Sequence, residues 1–209
     1  IWTISFWESL GSPKKFNLIE LGAGNGEMFK IIIESLQNFP KIFNSCNFFI
    51  HEKSPSLIKI QKKKFNKNKI IWISKINQIK KNPCIFIANE FFDSMPIKQF
   101  RKKNNLWFEK FVNFEKSKNA YFFERMTDIK KIEKKIQFKI SHNQTFIEYS
   151  ELGIDYLKKI SQIIKRNKGG LLLIDYGYTD SKMKNTLQAV SNHKFANILE
   201  DFGNIDITH

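Results

Sequence analysis

Three glycines at alternate positions, Gly22, Gly24 and Gly26, separate a short apolar run from a segment with helical periodicity. The run Phe16 to Leu21 is typical of a buried strand, and Glu27 to Phe39 repeats apolar residues at the spacing of an amphipathic helix. Glycine has no Cβ atom, so such a turn can bend tightly and bring the backbone close to a ligand. The pattern predicts strand, glycine turn and helix, the opening unit of an α/β sheet.

More short apolar runs alternate with helical segments along the chain. They span Asn47 to His51, Ile70 to Ile73, Cys84 to Ala88 and Leu171 to Tyr176. Since they lack polar alternation, we expect strands covered by helices on both faces of a mostly parallel sheet. This is a Rossmann-like α/β fold, in which ligands bind outside the carboxyl ends of the strands, where the strand order reverses.

The segment 97–126 has a different texture. Its apolar and polar residues alternate around polar turns at Lys103 to Asn105 and Lys116 to Asn119. This alternation predicts a small antiparallel β-meander with one solvated face. We expect a single domain over 1–209 that contains this insert and is truncated at both ends.

A helix start is marked at Ser54 and Pro55, because serine is a good N-cap and proline suits the first helical position. The apolar spacing of this helix predicts that Leu57, Ile60 and Phe65 point inward.

The residues around the glycine turn indicate the chemistry of its ligand. The spacing is Gly-x-Gly-x-Gly, which differs from the Gly-x-Gly-x-x-Gly of dinucleotide folds, and the Gly-Lys-Ser/Thr of a P-loop is missing. Glu20, near the strand end, would repel phosphate but suits a cationic amino-acid ligand. The turn resembles motif I of class I S-adenosylmethionine-dependent methyltransferases. The alternative is an ordinary glycine-rich turn from strand to helix.

Glu52 stands at the end of the second predicted strand. In nucleoside-binding sheets of this kind, an acidic residue at that position binds the ribose hydroxyls, because a carboxylate accepts two hydrogen bonds at once. We therefore favour a ribose contact for Glu52, and an unremarkable surface residue is the alternative.

The fourth predicted strand ends in Asn89, Glu90, Phe91, Phe92 and Asp93. Its carboxyl end faces the expected ligand, so these side chains could hold the adenine, the methionine part or a methyl acceptor. The alternative is that Asp93 opens a simple turn and that either phenylalanine belongs to the core.

This segment also carries a more specific resemblance. The run Asn89 to Phe100 is similar to the Asn-Glu-Phe-Phe-Asp-Ala-Leu-Pro-Val-x-Gln-Phe signature of the MidA group of methyltransferases, which includes the mitochondrial complex I assembly factor. Other segments agree with that group over nearly all of the chain. They are Trp7 to Gly11, Glu52 to Pro55 with Leu57 and Gln61, Leu173 to Tyr178, Thr186 to Ala189 with His193, and Asp206 to Thr208.

The resemblance implies transfer of a methyl group from S-adenosylmethionine to a protein, with arginine methylation of a complex I subunit as the family's associated activity. On this basis Glu90 and Asp93 are the candidate catalytic residues, serving the acceptor or the methionine amino group. The candidate cofactor-binding residues are Glu20, Gly22, Ala23, Gly24, Asn25, Gly26, Glu52 and Asn89. The bacterial cytoplasm, or the mitochondrial matrix of a eukaryote, is the expected location.

The net charge of +15 raises the alternative of a nucleic-acid partner. The charge comes from 32 Lys and only 3 Arg, however, whereas proteins that read nucleic acid favour arginine forks. Cys46 and Cys84 lack metal-ligand spacing, so no metal site is predicted, and no apolar run approaches the ~20 residues of a membrane span. A further alternative is a catalytically idle assembly chaperone that uses 97–126 as its contact surface.

Overall fold

The computed structural model describes residues 1–66, 69–79, 81–115, 120–192, 194–201 and 203–209. The strands are β1 Phe16–Leu21, β2 Cys46–His51, β3 Ile70–Ile73, β4 Cys84–Asn89, β5 Lys98–Lys103, β6 Leu106–Phe114, β7 Ala120–Thr127, β8 Phe146–Tyr149, β9 Gly169–Ile174, β10 Gln188–Ser191, β11 Lys194–Phe195 and β12 Asp206–Thr208. The helices are α1 Trp2–Ser9, α2 Glu27–Gln37, α3 Pro40–Ser45, α4 Pro55–Lys64, α5 Ile129–Ile136 and α6 Glu151–Asn167, and a short 3-10 helix spans Ile76–Gln78.

The chain divides into two compact units. The first contains Ile1–Phe92 and Tyr156–Asp175, and the second contains Asp93–Asp155 and Tyr176–His209. A single domain with an insert at 97–126 stays a prediction.

A five-stranded sheet forms the centre of the first unit. Its strand order is β3-β2-β1-β4-β9, and every neighbouring pair is parallel. Consecutive strands therefore run outward from β1 in one direction, and the order reverses between β1 and β4. This arrangement confirms the predicted parallel α/β sheet.

Burial of β1 explains its unbroken apolar pattern. All six residues from Phe16 to Leu21 are buried. Phe16 and Leu18 belong to a core cluster with side chains of α1, α2 and α3, while Ile19 and Leu21, which alternate with them, are also fully buried. Both faces of this strand are therefore covered, as in other parallel sheets.

Helix α4 begins as predicted, because the Ser54 hydroxyl accepts a hydrogen bond from the Leu57 amide. The prediction for its inward face was partly wrong. Ile60 is 48% exposed, whereas the neighbouring Gln61 is fully buried. Gln61 makes the polar contacts described below, and the helix therefore turns Gln61 inward where Ile60 had been expected.

An antiparallel sheet of order β7-β6-β5-β8 is the larger of the two sheets in the second unit. Strands β5 and β6 join through Asn104 and Asn105, both at positive φ, which asparagine tolerates well in hairpin turns. The predicted turn at Lys116 to Asn119 lies outside the described residues. Strand β8 and helix α5 close the sheet, and Ile132 of α5 packs in one cluster with Phe100.

Strands β11, β10 and β12 make a second, three-stranded antiparallel sheet. The sequence had not indicated these strands or β8, because each is four residues or shorter and includes polar residues, whereas the equally short β3 is entirely apolar.

Candidate functional site

The candidate site of the first unit lies at the carboxyl ends of its strands. The register pairs Leu21 of β1 with His51 of β2 and with Ala88 of β4, and it pairs Asn89 with Ile174 of β9. These strands consequently end at one level, and the segments that follow them share one edge of the sheet. Because the strand order reverses at β1 and β4, this edge is where ligands bind in open α/β sheets.

The glycine turn follows β1 and is tied to the neighbouring strand. The Gly22 amide donates to the carbonyl of His51 at 2.9 Å. Gly22 has a φ of +64°, and a Cβ atom there would lie only 2.6 Å from Cδ2 of Phe91. Gly24 has a φ of +53°, but a Cβ atom there would meet no atom within 4 Å. Glycine is therefore needed at position 22, because a side chain there would collide with the Phe91 ring. At position 24 the space beside the backbone is open.

The turn leads directly into α2. Gly26 caps this helix, and the Asn25 side chain accepts a hydrogen bond from the Glu27 amide at 3.2 Å. Ala23 is buried, so it packs against the core. The side-chain oxygen of Asn25 stabilises the first turn of the helix. Free backbone N–H groups at a helix start can donate hydrogen bonds to a polar ligand.

Glu20 is a buried carboxyl group beside this turn. Only 2% of the residue is exposed, and its Oε2 atom has no hydrogen-bond partner among the described residues. Burial raises the pKa of Glu20 to about 7. A buried carboxyl group without a hydrogen-bond partner destabilises the folded chain. A hydrogen-bond donor from a ligand would remove this penalty, and a cationic donor would do so best.

Glu52 follows β2, and local hydrogen bonds hold its carboxylate. One oxygen accepts from the amides of Lys53 and Ser54 at 2.8 and 2.9 Å, and the other accepts from Nε2 of Gln61 at 3.3 Å. A carboxylate oxygen has two lone pairs, so these bonds leave acceptor capacity for further donors.

Gln61 connects the glycine turn to Glu52. Its Nε2 also donates to the carbonyl of Gly24 at 2.8 Å, and its Oε1 accepts from the Trp72 indole at 2.9 Å. Gln61 matches the family pattern, but no role was predicted for it from the sequence. Its position on the inward face of the helix, where apolar residues are expected, could have indicated a buried polar contact.

Aromatic residues pack beneath the turn. The rings of Phe91 and Tyr156 meet edge to face at 5.3 Å, and the His51 ring lies 6.3 Å from Phe91. His51 Nδ1 is 3.1 Å from the carbonyl of Ile73, and Nε2 is 2.9 Å from the Tyr156 hydroxyl. Burial lowers the pKa of His51. The neutral ring therefore donates a hydrogen bond from Nδ1 to the carbonyl, and its Nε2 accepts a hydrogen bond from the Tyr156 hydroxyl.

The segment after β4 is held to the end of β9. The Glu90 amide donates to the Ile174 carbonyl at 2.9 Å, and the Phe92 amide donates to Asp175 Oδ2 at 3.3 Å. Glu90 is exposed and has a φ of +46°, an unusual conformation for a residue with a side chain. Such strain is concentrated at functional sites. This conformation is consistent with the predicted functional role of Glu90, which stays a prediction.

Comparison with known proteins identifies the family. A model of the family described as "Putative S-adenosyl-L-methionine-dependent methyltransferase" matches residues 1–209. The chain belongs to this methyltransferase family. The resemblance predicted from the motifs is therefore confirmed, and so is S-adenosylmethionine as the family's cofactor.

Curated relatives of this methyltransferase chain share about a quarter of its residues. Mitochondrial protein arginine methyltransferase NDUFAF7 of Xenopus laevis is 26% identical over 246 residues, covering 100% of this chain and 53% of that protein. Its Caenorhabditis elegans homolog is 28% identical over 233 residues, covering 100% and 54%. The chain thus spans about half the length of the curated relatives it matches.

Solved structures support the fold. An uncharacterized protein from Burkholderia thailandensis superimposes with a TM-score of 0.77 at 15% identity, over 97% of this chain and 56% of that one. A second structure from that organism, of a protein bound to S-adenosyl-homocysteine, gives a TM-score of 0.76 at 16% identity, over 97% of this chain and 54% of that one.

The candidate site brings together most of the predicted residues. Those on the shared edge of the first unit are Glu20, Gly22, Ala23, Gly24, Asn25, Gly26, Glu52, Asn89 and Glu90. Asp93 is buried and belongs to the second unit. Among the described residues, no cluster of three or more His, Cys, Asp or Glu side chains could hold a metal ion. None of the helices in that part of the chain is long and apolar enough to cross a membrane.

Proposed function

We propose that this chain transfers a methyl group from S-adenosylmethionine to an arginine side chain of a protein. The observation that carries the proposal is Glu20, a buried carboxyl group with an unpartnered oxygen beside the glycine turn of a methyltransferase-family chain. The names of the curated relatives support arginine as the acceptor.

The residues at the sheet edge fit the cofactor. The ammonium group of its methionine part would satisfy the orphaned oxygen of Glu20. The open backbone at Gly24 admits close approach, and the remaining lone pairs of Glu52 suit the ribose hydroxyls. We assign the rest of the turn, through Gly26, to backbone contacts and Asn89 to a polar contact with the cofactor.

The acceptor requires a carboxylate. Guanidinium is cationic, with a pKa above ~12, so its nitrogen attacks only when a base orients it and draws charge toward the reacting atom. When bound, the cofactor supplies an electrophilic sulfonium methyl group. Glu90, exposed at the end of β4, is the candidate for orienting the guanidinium and receiving its hydrogen bonds, and we assign Asp93 to the same task. A nitrogen–carbon bond forms, the sulfur–carbon bond breaks, and the nitrogen loses one proton to solvent.

The proposed acceptor is a subunit of respiratory complex I. This places the activity in the mitochondrial matrix of a eukaryote or in the cytoplasm of a bacterium. Methyl-arginine on complex I subunits, measured by mass spectrometry with and without this gene, tests the acceptor. Loss of the modification in the strain without the gene is the expected result, and an unchanged modification contradicts it.

The catalytic assignment has its own test. Glu90→Gln and Asp93→Asn should each lower methyl transfer at least tenfold while S-adenosyl-homocysteine still binds. The exposed Glu34→Gln on α2 is a matched control that should retain full activity. Full activity in both site variants would overturn the roles assigned to these carboxylates.

An idle assembly chaperone is the second candidate, and exposed apolar residues on β6 and β7 favour it. Phe114 is 59% exposed and Met126 is 69% exposed, as a contact surface would be. Calorimetry with S-adenosylmethionine separates the two functions. Binding followed by methyl transfer supports the enzyme, and lack of binding supports the chaperone.

A further inference from the structure

A cavity of about 480 Å³ lies in the second unit, and its lining includes none of the residues assigned to the cofactor. It opens between β8, β10, β12 and the segment that follows β9. Its walls are formed by Glu148, Tyr176, Gly177, Tyr178, Asn185, Thr186, Gln188, Thr208 and His209.

The centre of this cavity is the carboxylate of Glu148. Behind it, the buried Gln99 uses its amide nitrogen to donate to Glu148 Oε2 at 2.5 Å and to Asn185 Oδ1 at 2.6 Å. The Thr186 hydroxyl donates to the other oxygen, Oε1. Each carboxylate oxygen is thus held by one donor and keeps a lone pair for another. The carboxylate is fixed in orientation and ready to accept a forked pair of hydrogen bonds.

The charge of the cavity is opposite to that of the chain. The described lining residues include no Lys or Arg, although the whole chain carries a net charge of +15. Because no Lys or Arg stands among these described lining residues, the negative charge of Glu148 favours a cationic ligand.

Two tyrosines line the same cavity as Glu148. Tyr176 is 71% exposed and Tyr178 is 44% exposed, so their rings are accessible at the cavity mouth. The Tyr178 hydroxyl accepts from the Lys184 amide at 3.0 Å, which fixes that side chain. Aromatic faces beside a carboxylate favour guanidinium over ammonium, since the flat guanidinium can stack on a ring while it donates two parallel hydrogen bonds.

The cavity also accounts for sequence segments that the cofactor site leaves without a role. Tyr176, Thr186, Gln188 and Thr208 all come from the segments similar to the MidA group, and Gln99 belongs to its fourth-strand signature. His193, from the same set, lies outside the described residues. Separate parts of the chain therefore converge on one polar cavity.

We propose that this cavity is a substrate-recognition pocket that binds the guanidinium group of an arginine side chain in the protein substrate, different from the acceptor arginine assigned to Glu90 and Asp93. The inference rests on the proposed function for its choice of a protein ligand. The hydrogen-bonding and charge arguments rest on the cavity alone.

The test measures binding of a fluorescent peptide with a single arginine among glycine and serine residues. Glu148→Gln should weaken binding at least tenfold, and Tyr176→Leu at the exposed mouth should weaken it about threefold or more. The exposed Glu200→Gln is the matched control and should bind the peptide as the wild type does. Peptides with lysine or citrulline in place of arginine should bind at least tenfold more weakly.

A parallel titration with S-adenosyl-homocysteine separates this inference from the proposed function. Urea unfolding curves that match the wild type show that Glu148→Gln and Tyr176→Leu both fold, and unchanged affinity for S-adenosyl-homocysteine shows that the cofactor site is intact. Wild-type peptide binding in both folded variants, or equal binding of the lysine peptide, overturns the pocket. If arginine peptides bind through Glu148 but no methyl transfer occurs, the pocket stands and the proposed enzyme activity fails.

Discussion

The side-chain amide of Gln61 donates to the carbonyl of Gly24 and to the carboxylate of Glu52, at 2.8 and 3.3 Å. One buried residue of α4 therefore joins the turn after β1 to the acidic residue after β2. Its carbonyl oxygen accepts from Trp72, so three separate segments depend on this side chain.

Replacing Gln61 with alanine should destabilise the chain by about 3 kcal/mol, because the Trp72 indole and the Gly24 carbonyl lose their partner in a buried setting. Ile60→Ala, one position earlier and 48% exposed, should change the free energy of unfolding by less than about 1 kcal/mol. Urea denaturation of both variants measures the difference. Equal losses would mean that the amide network contributes nothing beyond ordinary packing.

Glu20 should make stability depend on pH in the cofactor-free chain. Its pKa is about 7 when folded, against an ordinary value of 4.5, so the folded state holds the proton more tightly. The associated stability is fully present below pH 4.5 and is lost as the pH rises through 7, by about 3 kcal/mol in total. Glu20→Gln removes this contribution. We expect a flatter profile of unfolding free energy between these pH values, and an unchanged slope would exclude Glu20 as its source.

Ligand affinity should depend on the ionisation of the Glu20 carboxyl group. If an ammonium group contacts Glu20, the ionised form is required, and affinity for S-adenosyl-homocysteine should decline as the pH falls below about 7. Calorimetry in buffers of different ionisation enthalpy should detect proton release near pH 6. In Glu20→Gln the affinity should be low and this proton release should disappear.

Gly22→Ala should cost more stability than Gly11→Ala. Both positions have positive φ, so both substitutions introduce backbone strain of about 1 kcal/mol. Only at Gly22 would the new Cβ atom collide with Phe91, while nothing lies within 4 Å at Gly11. Thermal unfolding should therefore rank Gly22→Ala below Gly11→Ala. The reverse order would show that the Phe91 ring moves aside without cost.

Tyr156→Phe should destabilise the first unit by about 1–3 kcal/mol, because Nε2 of the neutral, buried His51 would lose its donor. Tyr121→Phe is a suitable control, because the Tyr121 hydroxyl is on the surface and accepts a hydrogen bond from the exposed side chain of Asn113. Denaturant titrations of the two variants provide the measurement. Similar stability of both would contradict a structural role for the His51 hydrogen bond.

Local sequence patterns predicted the parts of the fold that depend on local physics. The glycine turn, the Ser54 cap and the buried strand β1 each follow from neighbouring residues. The prediction that the last parallel strand is covered on both faces was wrong, because β9 lies at the edge of the sheet and none of its residues is buried. The inward position of Gln61 did not, because a buried amide is stable only when partners from distant segments reach it. The network around Glu148 was missed for the same reason, since Gln99 and Thr186 are brought to it by pairing across the second unit.

Trp72 provides a spectroscopic consequence of the Gln61 network. Its indole N–H is bonded to the same side chain that holds Gly24 and Glu52, and Lys62 lies 5.7 Å above its ring. Indole emission responds to hydrogen bonding and to nearby charge. Trp72 is one of four tryptophans in the chain and is linked to the glycine turn through Gln61, so we expect its share of the intrinsic fluorescence to change when the site is occupied.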